Sequence, residues 1–290
     1  MAPSTMWRMG DVLAGNHAVW EFDDSDSVLI RFARGMRTPR LFQALGSRRI
    51  PLEAVSAATV TAGKRDTVVL RALPRPGADP LMEAAAGQLK ETCDPYRLVL
   101  PGDRAPLAAA FAEEIRSRLA PDADEPASRF LVEAPQPPLQ LKAYDARVGF
   151  DGSTVSFHWS RTGATSTKWK AGDQHYPLTA LSGLAWSSPE GPGGHLRLLL
   201  HENGDAPADP RPDHDLAAAV FGVGCGAVHE SLPFAAAVLA ALRGRTPVGA
   251  AARARSGDDR LRHLSELHSA GLLTDGEYAA LRDRFAAEPL

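Results

Sequence analysis

The sequence predicts an α+β, mainly β protein built from two tandem copies of a small antiparallel sheet or barrel, each closed by a C-terminal helix, with a two-helix hairpin at the end. Three observations lead there. A long phrase occurs twice: "WEFDDSDSVLIRF" followed by "RRIPLEAVSAATV", and later "VGFDGSTVSFHW" followed by "QHYPLTALSGLAW". Phe22, Val28, Pro51 and Pro106 answer to Phe150, Val155, Pro177 and Pro233, each pair offset by about 127 residues, which is the expectation for one duplicated domain. Within each copy several strand-like runs precede a single helical one. The last stretch, finally, carries the start and stop signals of two short helices.

At the N-terminus, "MAPSTMWRMGDVLAGNHAVWEF" lacks a basic start followed by an apolar run. Nowhere do about eighteen apolar residues follow one another, so neither an export signal nor a transmembrane segment is expected, and the expected location is cytoplasmic. The first copy is assigned to residues 10–120. "VLIRF" and its counterpart "VSFHW" are β-branched and aromatic and follow turn-forming Asp23-Asp24 or Asp151-Gly152, so each reads as the second strand of a hairpin. "ATVTAGKRDTVVLRAL" then reads strand, turn, strand, with "HLRLLL" as its equivalent. In "APLAAAFAEEIRSRL", Pro106 falls in the first helical turn, where its missing N–H is harmless, and Leu107, Phe111, Ile115 and Leu119 line one face. "LPFAAAVLAALR" repeats the pattern with Phe234, Val238 and Leu242.

Ahead of each closing helix lies an insert, "PRPGADPLMEAAAGQLKETCDPY" or "HENGDAPADPRPDHDLAAAVFG", which opens as a Pro, Gly and Asp loop and turns Ala-rich, predicting a short helix or a covering flap. Residues 121–138 are Pro-rich and predict a semi-rigid extended linker to the second copy, 139–245. A flexible linker, 246–257, leads to a helical hairpin over 258–290. There Thr274 is the N-cap and Glu277 completes a capping box, while Leu273 and Tyr278 form a hydrophobic staple. Gly271 suits a left-handed helix stop, and Leu261, Leu264, Leu267 and His268 share one face opposite Leu281 and Phe285. Helices this short are marginal alone, so the stripe formed by Leu261, Leu264, Leu267, Leu272, Leu273, Tyr278, Leu281 and Phe285 is expected to be buried against the chain's own domains or another copy.

"LRHLSELHSAGLLTDGEYAALRDRF" resembles the SHOCT module, a short C-terminal domain of bacterial proteins; the resemblance implies oligomerisation or docking and no catalysis. The repeats resemble an actinobacterial domain of unknown function, number 4429, which occurs in tandem before such a tail and is similar to pleckstrin-homology-like (PH-like) barrels. The residues that carry this are "FDD" and "FDG" at Phe22 and Phe150, "IPL" and "YPL" at Pro51 and Pro177, and "GADPL...DPYRLVL" from Gly77 to Leu100. The second copy departs at the last element, where "HDLAAAVFGVGCGAVHESLPF" replaces the "DPY" phrase.

Composition excludes rather than selects. Apolar residues make up 44%, charged residues 23%, and the net charge is -3, so no global field draws the chain to nucleic acid or to a membrane, and a charged partner must meet a local patch. The strongest patch is "RFARGMRTPRLFQALGSRR", with Arg31, Arg34, Arg37, Arg40, Arg48 and Arg49 and no acid between Ser27 and Leu52. Arginine forks match phosphate and carboxylate, so an anionic lipid, a phosphate-bearing ligand or an acidic partner fits there. A solvated basic face balanced by the acids of "EFDDSDS" fits equally well. In the second copy, Arg161, Lys168 and Lys170 beside Trp159 and Trp169 suggest a cation and aromatic surface, although tryptophans in strands usually pack cores.

His175, His195, His201, His214 and His229 crowd the second copy without ligand spacing, so no metal is expected. Cys93 and Cys225 read as reduced, buried thiols. "GVGCGAV" reads as a strand with close backbone packing, not a phosphate loop. No cofactor is expected, and nucleic acid is not the expected partner. The expectation is therefore a non-enzymatic binding or scaffold protein that self-associates through its tail. The alternatives are a peripheral membrane or anionic-ligand adaptor using the Arg31 to Arg49 face, and an enzyme with Asp213, His214 or Cys225 lining one cavity.

Overall fold

Alternation decides the first strands. Along Ala18–Asp23, residues Ala18, Trp20 and Phe22 are buried while their neighbours are half-exposed, the period of two that places one face of a strand on a core. The computed structural model describes residues 12–23, 26–201 and 211–245. In the first copy, β1 (Val12–Ala14), β2 (Ala18–Asp23), β3 (Ser27–Phe32) and β4 (Ser47–Pro51) form an antiparallel sheet in that order. A 3-10 turn at Leu52–Ala54 leads to a second antiparallel sheet of β5 (Val55–Ala62), β6 (Thr67–Pro74) and β7 (Arg97–Pro101). Two short helices interrupt these strands, α1 (Arg40–Leu45) and α2 (Pro80–Ala85), and α3 (Ala105–Ser117) closes the copy.

The second copy repeats the plan. Strands β8 (Leu139–Lys142), β9 (Ala146–Phe150), β10 (Thr154–Trp159) and β11 (Gln174–Pro177) form one sheet, with α4 (Ser166–Ala171) between the last two. After the 3-10 turn Leu178–Ala180 come β12 (Leu181–Ser187), β13 (His195–Leu200) and β14 (Ala218–Val220) in a second sheet, then α5 (Val228–Arg245). Among the α-helices of the described residues, only α2 lacks a counterpart. Both copies are mainly β, but the expected barrel is corrected. The sheets of each copy remain separate and meet at a corner, where Asn16 N–H donates to Val99 O at 2.7 Å and Tyr144 N–H to Val220 O at 2.9 Å. At the other end Pro51 and Pro177 interrupt the ladder, because proline has no N–H to donate, and the 3-10 turn sends the chain into the next sheet.

Helix α3 buries Ala108, Phe111, Ala112 and Ile115, the spacing of one helical face. Phe111 stacks on Phe22 at 4.4 Å between ring centroids and meets Trp20 edge-on at 6.3 Å. Full burial of a side chain of this size contributes about 1.5–3 kcal/mol, so this contact anchors the helix on the first sheet. In the second copy Phe234 of α5 meets Phe150 edge-on at 6.4 Å. Pro233 does not open that helix as Pro106 opens α3. It lies inside α5, which begins a turn earlier and is started by Glu230 and Ser231 N–H donating to Ala227 O.

Two further expectations change. "GVGCGAV" is a tight turn, not a strand: Gly222 and Cys225 pair with each other, and Gly224 and Gly226 hold φ of 73°, which a side chain disfavours. The Pro-rich linker is no free spacer. Ala127 N–H donates to Pro76 O, Leu131 and Val132 N–H both donate to Ala78 O, and buried Arg75 reaches Glu53 O, Glu125 O and Asp122 Oδ2. These bonds strap the segment to the first copy.

The two copies also share a packed boundary. Leu41 of α1 and Leu81, Ala84 and Ala85 of α2 are buried in the same apolar cluster as Trp186, Leu196 and Leu232 of the second copy. Gln88 fastens it by donating to Trp186 O at 2.9 Å and accepting from Ser188 N–H at 2.9 Å. The boundary lies within one compact unit, Met1–Arg243; a second unit begins at Gly244, of which only the end of α5 is described.

Candidate functional site

The six arginines singled out in the sequence separate into three groups. Arg31 on β3 pairs with Glu21 on β2 at 2.5 Å, and Arg49 on β4 pairs with Asp23, so both are charge-compensated across the sheet. Arg48 is removed from the candidate face altogether. Alternation along β4 turns it inward, where its guanidinium forms two 2.8 Å bonds to the Asp79 carboxylate. Only Arg34, Arg37 and Arg40 remain exposed without an ion pair among the described residues.

Those three belong to a shaped loop. Gln43 Nε2 donates to Gly35 O at 3.0 Å and Thr38 O at 2.9 Å, Thr38 N–H donates to Gly35 O, and buried Thr38 sits 3.4 Å from His17 Nδ1. Phe32 and Phe42 stack at 4.6 Å beneath it. At the tip the side chain of Met36 is fully exposed. An apolar tip among three arginines, held by its own hydrogen bonds, is a surface suited to contact with an anionic partner.

Sequence reasoning missed two buried ionic centres. In the first copy, Asp79 Oδ2 also accepts from Tyr96 Oη at 2.8 Å, and Oδ1 accepts from Leu81 N–H, capping α2. Burial opposes the Arg48 charge, but the Asp79 charge and its hydrogen bonds overcome it and raise the guanidinium above its ordinary pKa. Burial, and then the Asp79 charge, push the Tyr96 phenol well above its usual range, so it stays a donor. In the second copy Lys168, which the sequence places in a cationic surface, is instead fully buried. Its Nζ meets Asp145 Oδ2 at 2.6 Å, Pro212 O at 2.7 Å and Ala218 O at 2.8 Å, and lies 4.8 Å from the Trp159 ring. Helical rotation separates it from Trp169 and Lys170, which are exposed. A signal for the first centre existed: Asp79 and Tyr96 both lie in the "GADPL...DPYRLVL" phrase.

Cys225 lines two clefts, and neither Asp213 nor His214 lines either. One of these, about 480 Å³, is bordered by Cys93 and Arg40 from the first copy and Cys225 and His229 from the second. Burial, reinforced by the charge of Glu190, raises the Cys93 thiol above its ordinary pKa and keeps it protonated. No group of three or more His, Cys, Asp or Glu side chains able to hold a metal occurs among the described residues, and His175, His195, His201, His214 and His229 are dispersed. No described helix is long and apolar enough to cross a membrane. The tail candidates Leu261, Leu264, Leu267, Leu272, Leu273, Tyr278, Leu281 and Phe285 lie outside the described residues.

Compared with known proteins, the chain matches the family model described as "Domain of unknown function (DUF4429)" twice, over residues 20–116 and 148–239. No curated protein matches it.

Proposed function

Because the chain belongs to the DUF4429 family and carries its domain in tandem, we propose that it is a non-enzymatic binding and scaffold protein of the cytoplasm. Four strands, three strands and a closing helix, in that order, support a PH-like ancestry for each copy. The observation that carries the binding reading is the loop with Arg34, Met36, Arg37 and Arg40, pre-shaped by Gln43 so that little ordering is needed on contact. Its partner is an acidic protein surface. Exposed Met36 among arginines favours one second reading, an anionic membrane surface that takes the methionine between its headgroups.

Charge reversal of Arg34, Arg37 and Arg40 to glutamate is the test. Capture of acidic partners by the full chain, and co-sedimentation with anionic vesicles, are measured beside the wild type. A loss of at least about tenfold in either assay, steepest at low salt, is expected. Equal retention in both returns the loop to a solvated face.

The scaffold part of the reading rests on the SHOCT-like tail, which multiplies weak contacts by linking copies. Size exclusion with light scattering is expected to give an oligomer for the full chain and a monomer for a chain ending at Arg255. A monomer in both cases removes self-association.

A further inference from the structure

The duplication provides an internal comparison that points to a second site. On the outer face of the first sheet, each copy has its own rows of cross-strand partners. In the first copy one row holds Val12, Glu21, Leu29 and Arg49, and the next holds Ala14, Val19, Arg31 and Ser47. Its two arginines are matched by Glu21 and Asp23. The equivalent rows of the second copy hold Gln140, Gly149, Ser156 and His175, then Lys142, Arg147 and His158. Glycine replaces the glutamate, and the alanine and valine positions have become lysine and arginine.

This exchange leaves a cationic surface with no acid on its strands. Lys142 and Arg147 are exposed, stand directly opposite each other on β8 and β9, and form no ion pair among the described residues. Like charges directly opposed across strands are destabilising, so the sheet holds them at a cost that a bound anion relieves. Asp145, in the turn between them, is buried and paired with Lys168, and Asp173 lies 2.7 Å from His158 Nδ1 and is taken up by it; the His158 ring in turn meets that of His175. Asp151, which aligns with Asp23, turns instead to its own loop and accepts from Ser153 and Thr154 N–H.

Shape agrees with charge. A cleft of about 960 Å³ opens over this face, lined by Lys142, Tyr144, Arg147, Ser156, His158 and Thr162. Gly149 forms part of its floor, and a Cβ there would come within 2.9 Å of Ser156 Oγ, so the missing side chain keeps that hydroxyl accessible. A guanidinium fork, an ammonium and the hydroxyls of Tyr144, Ser156, Ser160 and Thr162 around one opening supply the donors that a phosphate group accepts from. We propose that this face of the second copy binds a phosphate-bearing anion between Lys142 and Arg147. The site uses no residue of the Arg34 to Arg40 loop, although its cleft shares Val223 and Cys225 with the one that Arg40 lines.

Two arms identify the source of the phosphate. In one, the full chain is titrated calorimetrically with inorganic pyrophosphate; in the other it is sedimented with phosphatidylcholine vesicles with and without phosphatidic acid. Binding in the first arm assigns a soluble phosphate compound, and binding confined to the second assigns a headgroup. In either case K142E/R147E is expected to weaken the interaction at least about tenfold, or ~1.4 kcal/mol, while reversal of Arg34, Arg37 and Arg40 leaves the pyrophosphate arm unchanged. Lys142→Glu alone converts a like-charge pair into an opposite one, so its thermal midpoint should equal or exceed that of the wild type even as binding falls. No binding of the wild type in either arm overturns the proposal. So does wild-type binding by K142E/R147E, or loss caused only by the loop variant.

Discussion

Asp79→Ala is expected to lower stability by roughly 3–5 kcal/mol, the usual cost of leaving one member of a buried ion pair uncompensated. Arg48 has only 6% of its side chain exposed and Asp79 none, and the carboxylate accepts from Arg48 twice, from Tyr96 and from Leu81. Alanine therefore strands a guanidinium and a phenol in an apolar setting and removes the cap of α2. Since α2 carries Leu81, Ala84 and Ala85 into the second copy, the damage extends to the boundary between the copies. Calorimetry should show a midpoint lowered by roughly 6–20 °C, at about 2–4 °C per kcal/mol for a unit of this size. Tyr96→Phe, which leaves the ion pair intact, should cost only about 1 kcal/mol. Equal losses for the two variants would mean that packing, not the ion pair, holds this region.

Lys168→Ala should be comparably severe, again roughly 3–5 kcal/mol, because Asp145 would be left buried without its cation. The lysine links three segments: Asp145 beside β9, the carbonyl of Pro212, and that of Ala218 on β14. Asp145 Oδ1 also accepts from Val220 N–H at 2.8 Å. The pair thus ties the first sheet of the second copy to its second sheet. Amide exchange should speed up at Ala218 and Val220 before it does in β2 and β3, which belong to the other copy. Lys168→Arg tests geometry. A fork is bulkier and less compact than an ammonium with three acceptors around it, so partial rescue is expected and full rescue would contradict that fit.

Much of the architecture is legible in the residues. The twofold repeat shows itself because each copy must bury the same alternating strands and the same helical face, so Phe22 and Phe150, Pro51 and Pro177, and Phe111 and Val238 recur in register. Whether the strands close into a barrel is not legible. Closure depends on hydrogen bonds between β4 and β5, and the sequence carries only Pro51, which ends one ladder without specifying the next pairing. The match to Pro106 predicts Pro233 in a first turn, yet the earlier turn of α5 is nucleated by bonds to Ala227.

Charge is the hardest part to read. "RFARGMRTPRLFQALGSRR" has no acid within it, but Glu21, Asp23 and Asp79 reach it from outside, and each neutralises a different arginine. Lys142 and Arg147 form no motif, being five residues apart in an ordinary stretch; antiparallel pairing sets them opposite each other.

From the sequence alone came the duplication, the mainly β character with one closing helix per copy, and the positions of the charged residues along the chain, all properties of local pattern. Only the tertiary structure decided which charges are buried, which are paired and which face a cleft. Those outcomes depend on partners distant along the chain, such as Arg48 with Asp79 or Lys168 with Asp145, and Coulomb energy depends on separation and solvent access, not on spacing in sequence.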